Sequence, residues 1–105
     1  EPEPDISVLK AKADFYAESH PKGTDTLLII EVCDSTYSYD KEIKLPLYAT
    51  GGIPEYWIIN LQKNEIEVHR SPEGDVYKRI QIAQLGDTIE LMFNNQSIEV
   101  NQLLG

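Results

Sequence analysis

An α/β (α+β) domain is predicted, with a mixed, mainly antiparallel sheet and one flanking helix over about residues 39–49, and three features predict it. The run Leu27-Leu-Ile-Ile-Glu-Val-Cys33 is rich in β-branched residues and too short for a typical helix. Beyond Pro54, apolar and polar side chains alternate between turn signals, the pattern of strands with one wet face. Between these stretches the apolar spacing changes to that of a helix and is closed by Gly51-Gly52.

Glu1 to Pro4 alternates Glu and Pro and reads as a stiff linker, since proline cannot complete a backbone ladder. Residues 5–9, Asp5-Ile-Ser-Val-Leu, alternate as a strand with Ile6 and Val8 on one face and Asp5 at its beginning. Lys10 to Thr26, holding Tyr16, His20, Pro21 and Gly23, is a polar excursion between strands. Leu27 to Cys33 follows as a central strand buried on both faces, interrupted by Glu31.

Ser35, Thr36 or Ser38 can cap the helix that follows. On that helix Ile43 and Leu47 form one stripe and Lys41, Lys44 and Tyr48 a second, so it has two usable faces. Pro46 predicts a kink or a late start, because it cannot bond the Glu42 carbonyl. Glu55 to Leu61 and Glu65 to Arg70 form a hairpin around Gln62-Lys-Asn64. Val76–Ile82, Thr88–Phe93 and Ser97–Val100 continue the antiparallel meander.

The 105 residues carry 18 acidic and 9 basic side chains, a formal net charge of −9. A single domain over 1–105 is the limit at this length. The acidic balance argues against a nonspecific DNA-coating protein, which displaces counterions with Lys and Arg. Lys10, Lys12, Lys41, Lys44, Lys78 and Arg79 are too dispersed to define a groove. One cysteine, Cys33, excludes an intrachain disulfide and fits a reducing, cytoplasmic setting. No apolar run reaches membrane-spanning length, so no membrane partner is expected. The chain begins at Glu1 rather than methionine, and natural residues are expected upstream.

Glu31 needs an explanation, because a carboxylate in a dry strand costs several kcal/mol unless it is paired or metal-bound. Asp5 supplies a second carboxylate if its strand lies beside that of Glu31, and the Val32 carbonyl offers a third hard oxygen. Such oxygens suit Mg²⁺ or Mn²⁺. Lys44 is 13 positions beyond Glu31, on a helix able to fold back over the strand end. Two acids, an ion and an amine are the parts of phosphodiester hydrolysis, but on the residues alone a partly buried Glu31–Lys44 ion pair is the favoured account.

Pro4-Asp5-Ile6, Leu28-Ile-Ile-Glu-Val32, Ser35-Thr36, Tyr39-Asp40 with Lys44, and Leu47-Tyr-Ala49 through Gly52-Ile-Pro-Glu-Tyr-Trp-Ile59 resemble the Uma-two family of putative restriction endonucleases over nearly the whole chain. The resemblance implies a restriction-endonuclease-like fold of the PD-(D/E)XK superfamily and a Mg²⁺-dependent (or Mn²⁺-dependent) endonuclease acting on DNA. Asp5 then matches the aspartate of the PD element and Glu31 the second acid, both metal ligands together with Val32. Lys44 matches a lysine moved from the strand to the following helix. Glu31-Val32-Cys33 departs from Glu-X-Lys, and the N-terminal helix and first strand that such nucleases usually keep are expected to be missing from this chain.

The rival reading is a non-catalytic interaction protein that keeps the fold, in which strand edges or the Tyr39 helix make a homodimer. Tyr39, Tyr48, Tyr56 and Trp57 offer faces for base stacking, but Tyr48 and Trp57 are expected in the core or at its rim. Glu55 is expected as a solvated strand-end acid, and His20 and His69 as surface histidines. Cys33 has no histidine nearby in sequence to make it a nucleophile.

Overall fold

A computed structural model of the protein describes residues 5–9, 25–33 and 37–104. The Glu-Pro lead, most of the Lys10 to Thr26 excursion with His20, Lys10 and Lys12, and the cap candidates Ser35 and Thr36 lie outside the described residues. The elements are β1 (Ile6–Leu9), β2 (Thr26–Cys33), α1 (Tyr37–Thr50), β3 (Glu55–Asn60), β4 (Glu65–Glu73), β5 (Val76–Gln84), β6 (Thr88–Glu90), β7 (Ser97–Glu99) and α2 (Val100–Leu104). This is a mixed α+β fold, compatible with a restriction-endonuclease-like architecture.

Five strands form one sheet in the order β1-β2-β3-β4-β5. β2 and β3 are parallel, which requires a crossover, and α1 supplies it; the other neighbours are antiparallel. Register assigns the faces. Leu28 and Ile30 of β2 share one face with Trp57, Ile59, Ile66, Val68 and Ala83, and this face packs under Ile89, Leu91 and Val100. The opposite face gathers Ile29, Cys33, Tyr56 and Ile58 beneath Tyr48 and Ala49 of α1. β2 and β3 are therefore buried from both sides, as the apolar run predicts.

The meander ends sooner than expected. β6 and β7 are three residues each and pair with one another in a separate two-stranded sheet, and the chain then turns into the short helix α2, which the alternation of Ser97 to Val100 did not reveal. Val100 is fully buried and begins that helix rather than ending a strand, and its N–H is held by the Asp87 carbonyl.

α1 begins at Tyr37, so Ser38 lies inside it rather than capping it, and Pro46 does not delay its start. The carbonyl that Pro46 cannot bond belongs to Glu42, an exposed residue, where water can satisfy it. The C-terminus is a sharp stop. Gly52 takes φ 77°, its N–H bonds the Ala49 carbonyl at 3.0 Å, and the Ile53 N–H bonds the Tyr48 carbonyl at 3.1 Å, a Schellman pair. Tyr48 and Ile53 pack in the same cluster, so the stop is fastened to the core that aims Tyr48.

The helix docks by its polar stripe. Lys41, Lys44 and Tyr48 meet the sheet, while Ile43 and Leu47 are 49% and 52% exposed. The reason lies beneath it, since the facing sheet surface carries the carboxylates of Glu31 and Glu67, which reward an ammonium more than an isoleucine. No helix among the described residues is long and apolar enough to cross a membrane.

Candidate active site

β1 and β2 pair antiparallel with Ile6 opposite Ile30, so the register carries Asp5 to the level of Glu31. The two acids thus come from neighbouring strands. Asp5 is exposed and its Oδ2 accepts a 2.7 Å hydrogen bond from the Val32 N–H, fixing the carboxylate beside the residue that follows Glu31. Val32 itself is exposed.

Glu31 is 3% exposed and both of its oxygens have donors. Lys44 Nζ stands 2.6 Å from Oε1, and the Tyr48 hydroxyl donates to Oε2 at 2.9 Å. Lys44 and Tyr48 are four apart on α1 and so project from one face of the helix. The Tyr48 phenol is held well above its ordinary ionisation range, first by burial, then by its hydrogen bond to Glu31 and by the charges of Glu31, Tyr77 and Asp5. It therefore remains a donor through the physiological range, and the Asp5 charge reaches it.

Asp5, Glu31 and the Val32 backbone thus meet at one end of the β1–β2 pair, and Lys44 of α1 reaches Glu31 there. The oxygens here are of the hard type that a divalent ion such as Mg²⁺ takes. Each carboxylate oxygen has two lone pairs, of which Lys44, Tyr48 and the Val32 N–H each occupy one, and Mg²⁺ commonly takes one or two carboxylates with water in its remaining positions. Among the described residues no group of three or more His, Cys, Asp and Glu side chains converges, so the ligands on this chain would be these two acids with backbone oxygen.

Beside this cluster lies one that the sequence reading missed. Glu31, Ile58 and Glu67 are register partners across β2, β3 and β4, so Glu67 shares the face of Glu31 with one strand between them. Lys41 Nζ lies 3.3 Å from Glu67 Oε1, and His69 Nε2 lies 3.0 Å from the same oxygen. His69 is 0% exposed, not a surface histidine. Burial lowers its pKa, and the Lys41 charge acts in the same direction against the opposing pull of Glu67. The neutral ring gives its Nε2 proton to Glu67, while its buried Nδ1 finds no hydrogen-bond partner among the described residues. The signal was the spacing of two between Glu67 and His69, which puts both on one face of a strand.

Glu55 is also corrected. It is 0% exposed, accepts hydrogen bonds from Trp57 Nε1 at 2.8 Å and from Arg70 Nε and Nη2 at 3.1 and 2.9 Å on Oε2, and takes the Met92 N–H on Oε1 at 3.3 Å. Arg70 Nη2 also reaches the Glu90 carbonyl. This network joins the main sheet to the β6–β7 hairpin, on the face away from α1. Tyr48 and Trp57 are buried, as expected, and Cys33 is a buried thiol.

Compared with known proteins, residues 1–101 match the model of the Uma2 family, described as "Putative restriction endonuclease". No curated protein matches the chain.

Proposed function

The chain belongs to the Uma-two (Uma2) family of putative restriction endonucleases, and on that premise we propose that it hydrolyses DNA phosphodiester bonds with Asp5, Glu31 and Lys44 as its working residues. The observation that supports this reading is the 2.6 Å contact of Lys44 with Glu31 at the level where Asp5 stands on the neighbouring strand. Asp5 and Glu31, with the Val32 carbonyl, would hold Mg²⁺ or Mn²⁺, which when bound supplies Lewis-acid polarisation of the phosphoryl oxygen and a lowered pKa for water.

Lys44 is half-buried, bonded to Glu31, and its side chain is still 22% exposed. There the ammonium holds the attacking water and screens the charge that develops on the phosphoryl oxygens. Water oxygen forms the new bond to phosphorus, the ester P–O bond breaks, and the proton lost by water passes to the leaving oxygen through solvent. Tyr48 acts through Glu31, fixing Oε2 so that the carboxylate cannot rotate away from Lys44.

The test is Mn²⁺ titration followed by calorimetry, together with plasmid nicking and a parallel RNA substrate. Binding that weakens at least tenfold in Asp5→Ala and Glu31→Ala, with DNA cleavage lost in Lys44→Ala, is expected. A folded chain that neither binds the ion nor cuts overturns the proposal.

A further inference from the structure

β5 is an edge strand with an unusual surface. Among the described residues it pairs on one side only, with β4, and it is nine residues long, enough to present a full row of unpaired backbone groups. Ile80 and Ile82, on the α1 side of the sheet, are 59% and 47% exposed. The other edge, β1, is only four residues long. Short length protects an edge from unwanted pairing; β5 lacks that protection and carries exposed isoleucines instead.

The sequence of β5 is also complementary to itself. We propose that two copies of this chain pair through β5 in antiparallel register with Gln81 on the two-fold axis, joining their sheets. In that register Ile80 of one copy lies against Ile82 of the other, twice, and the four side chains form one apolar cluster. Arg79 faces Ala83, and Lys78 faces Gln84. Gln84 is hydrogen-bonded through Nε2 to Glu65 at 3.0 Å, so the exposed Lys78 ammonium, which lies a loose 3.7 Å from Glu73 of its own copy, arrives beside an amide oxygen and a carboxylate. No acid occurs between Val76 and Gln84, so the acidic balance of the chain is not focused on this edge. Two neighbouring registers are worse matched. Centring on Arg79 opposes two guanidinium groups, and centring on Ile80 sets Lys78 against Ile82.

This interface is independent of the nuclease reading, because no residue of the Asp5–Glu31–Lys44 cluster belongs to β5. Light scattering across a dilution series is expected to give twice the 11.9 kDa chain mass, falling to the single-chain mass in Ile80→Lys/Ile82→Lys, whose sites are exposed and leave the fold intact. The register is read by cross-linking. Gln81→Cys is expected to form an intermolecular disulfide on mild oxidation, since directly opposed residues have Cα atoms about 4.5–5.5 Å apart. Lys78→Cys is expected not to, because its two copies lie about 20 Å apart at ~3.4 Å per residue. Cys33 is buried and does not compete. A chain that stays single at every concentration overturns the proposal, as does a dimer that cross-links through Lys78→Cys but not Gln81→Cys.

Discussion

Tyr48 donates its hydroxyl proton to Oε2 of Glu31, the carboxylate oxygen that Lys44 does not take. The acid is thereby held at both ends by one helix. Tyr48→Phe keeps the ring and removes only this donor, and a hydrogen bond to a buried charge is worth about 1.5–3 kcal/mol. Urea melts are expected to show a loss of that size, and metal affinity should fall because Glu31 gains rotational freedom.

Lys44→Met removes the ammonium while keeping the packing of the stem. A buried carboxylate deprived of its cation costs about 3 kcal/mol or more, less where water enters. Both stability and proposed cleavage should fall. Lys44→Arg is expected to recover most of the stability but not the cleavage, since the planar fork does not reproduce a compact ammonium. Equal recovery of both would remove Lys44 from the chemistry.

His69 gives the fold an acid limit. Its folded pKa lies below the ordinary 6.5, so between those values the unfolded chain binds more protons and stability falls as pH falls. Thermal melts are expected to show Tm declining as the pH drops through about 6.5. His69→Gln retains a donor for Glu67 without the titration and should flatten that part of the profile.

At the alkaline end, Tyr48 and Tyr77 are both held above the ordinary 10.0, Tyr77 by burial. The stability they contribute is complete below 10.0 and is lost as pH rises toward their folded values. Ultraviolet titration should find that at least two of the 6 tyrosines ionise only with unfolding. Earlier ionisation of all six would contradict the burial of these phenols.

Arg70→Met leaves Glu55 fully buried with neutral donors only. The expected cost is about 3–5 kcal/mol. Adding Glu55→Gln should restore part of it, and a double-mutant cycle in urea measures the coupling.

Much of this arrangement was legible in the residues. An acid inside the most apolar strand demanded a cation, and a lysine 13 positions later on a returning helix supplies it. The continuous apolar run located β2, turn signals and alternation located β3 to β5, and Gly51-Gly52 located the helix end. Illegible were the surroundings of charges whose partners come from distant elements. Glu55 reads as a strand-end acid until Arg70 and Met92 arrive from β4 and the segment after β6. His69 reads as exposed until the rings of Tyr56 and Tyr77 pack against it from neighbouring strands. The helix stripes were visible, but which would dock depended on the two carboxylates of the facing sheet.

The order in which the cluster assembles follows from the β2–α1–β3 crossover. Glu31 and Lys44 close a loop of only 13 residues, whereas Asp5 reaches Val32 across 27, and the entropy of closing a loop rises with its length. The acid–amine half is thus the more local contact and favours early formation during folding, while the second carboxylate waits for β1 to add to the edge. A chain caught before that last strand docks would already hold its lysine in place yet lack one of the two proposed ligand acids, so on the proposed reading ion affinity would report the completion of the sheet.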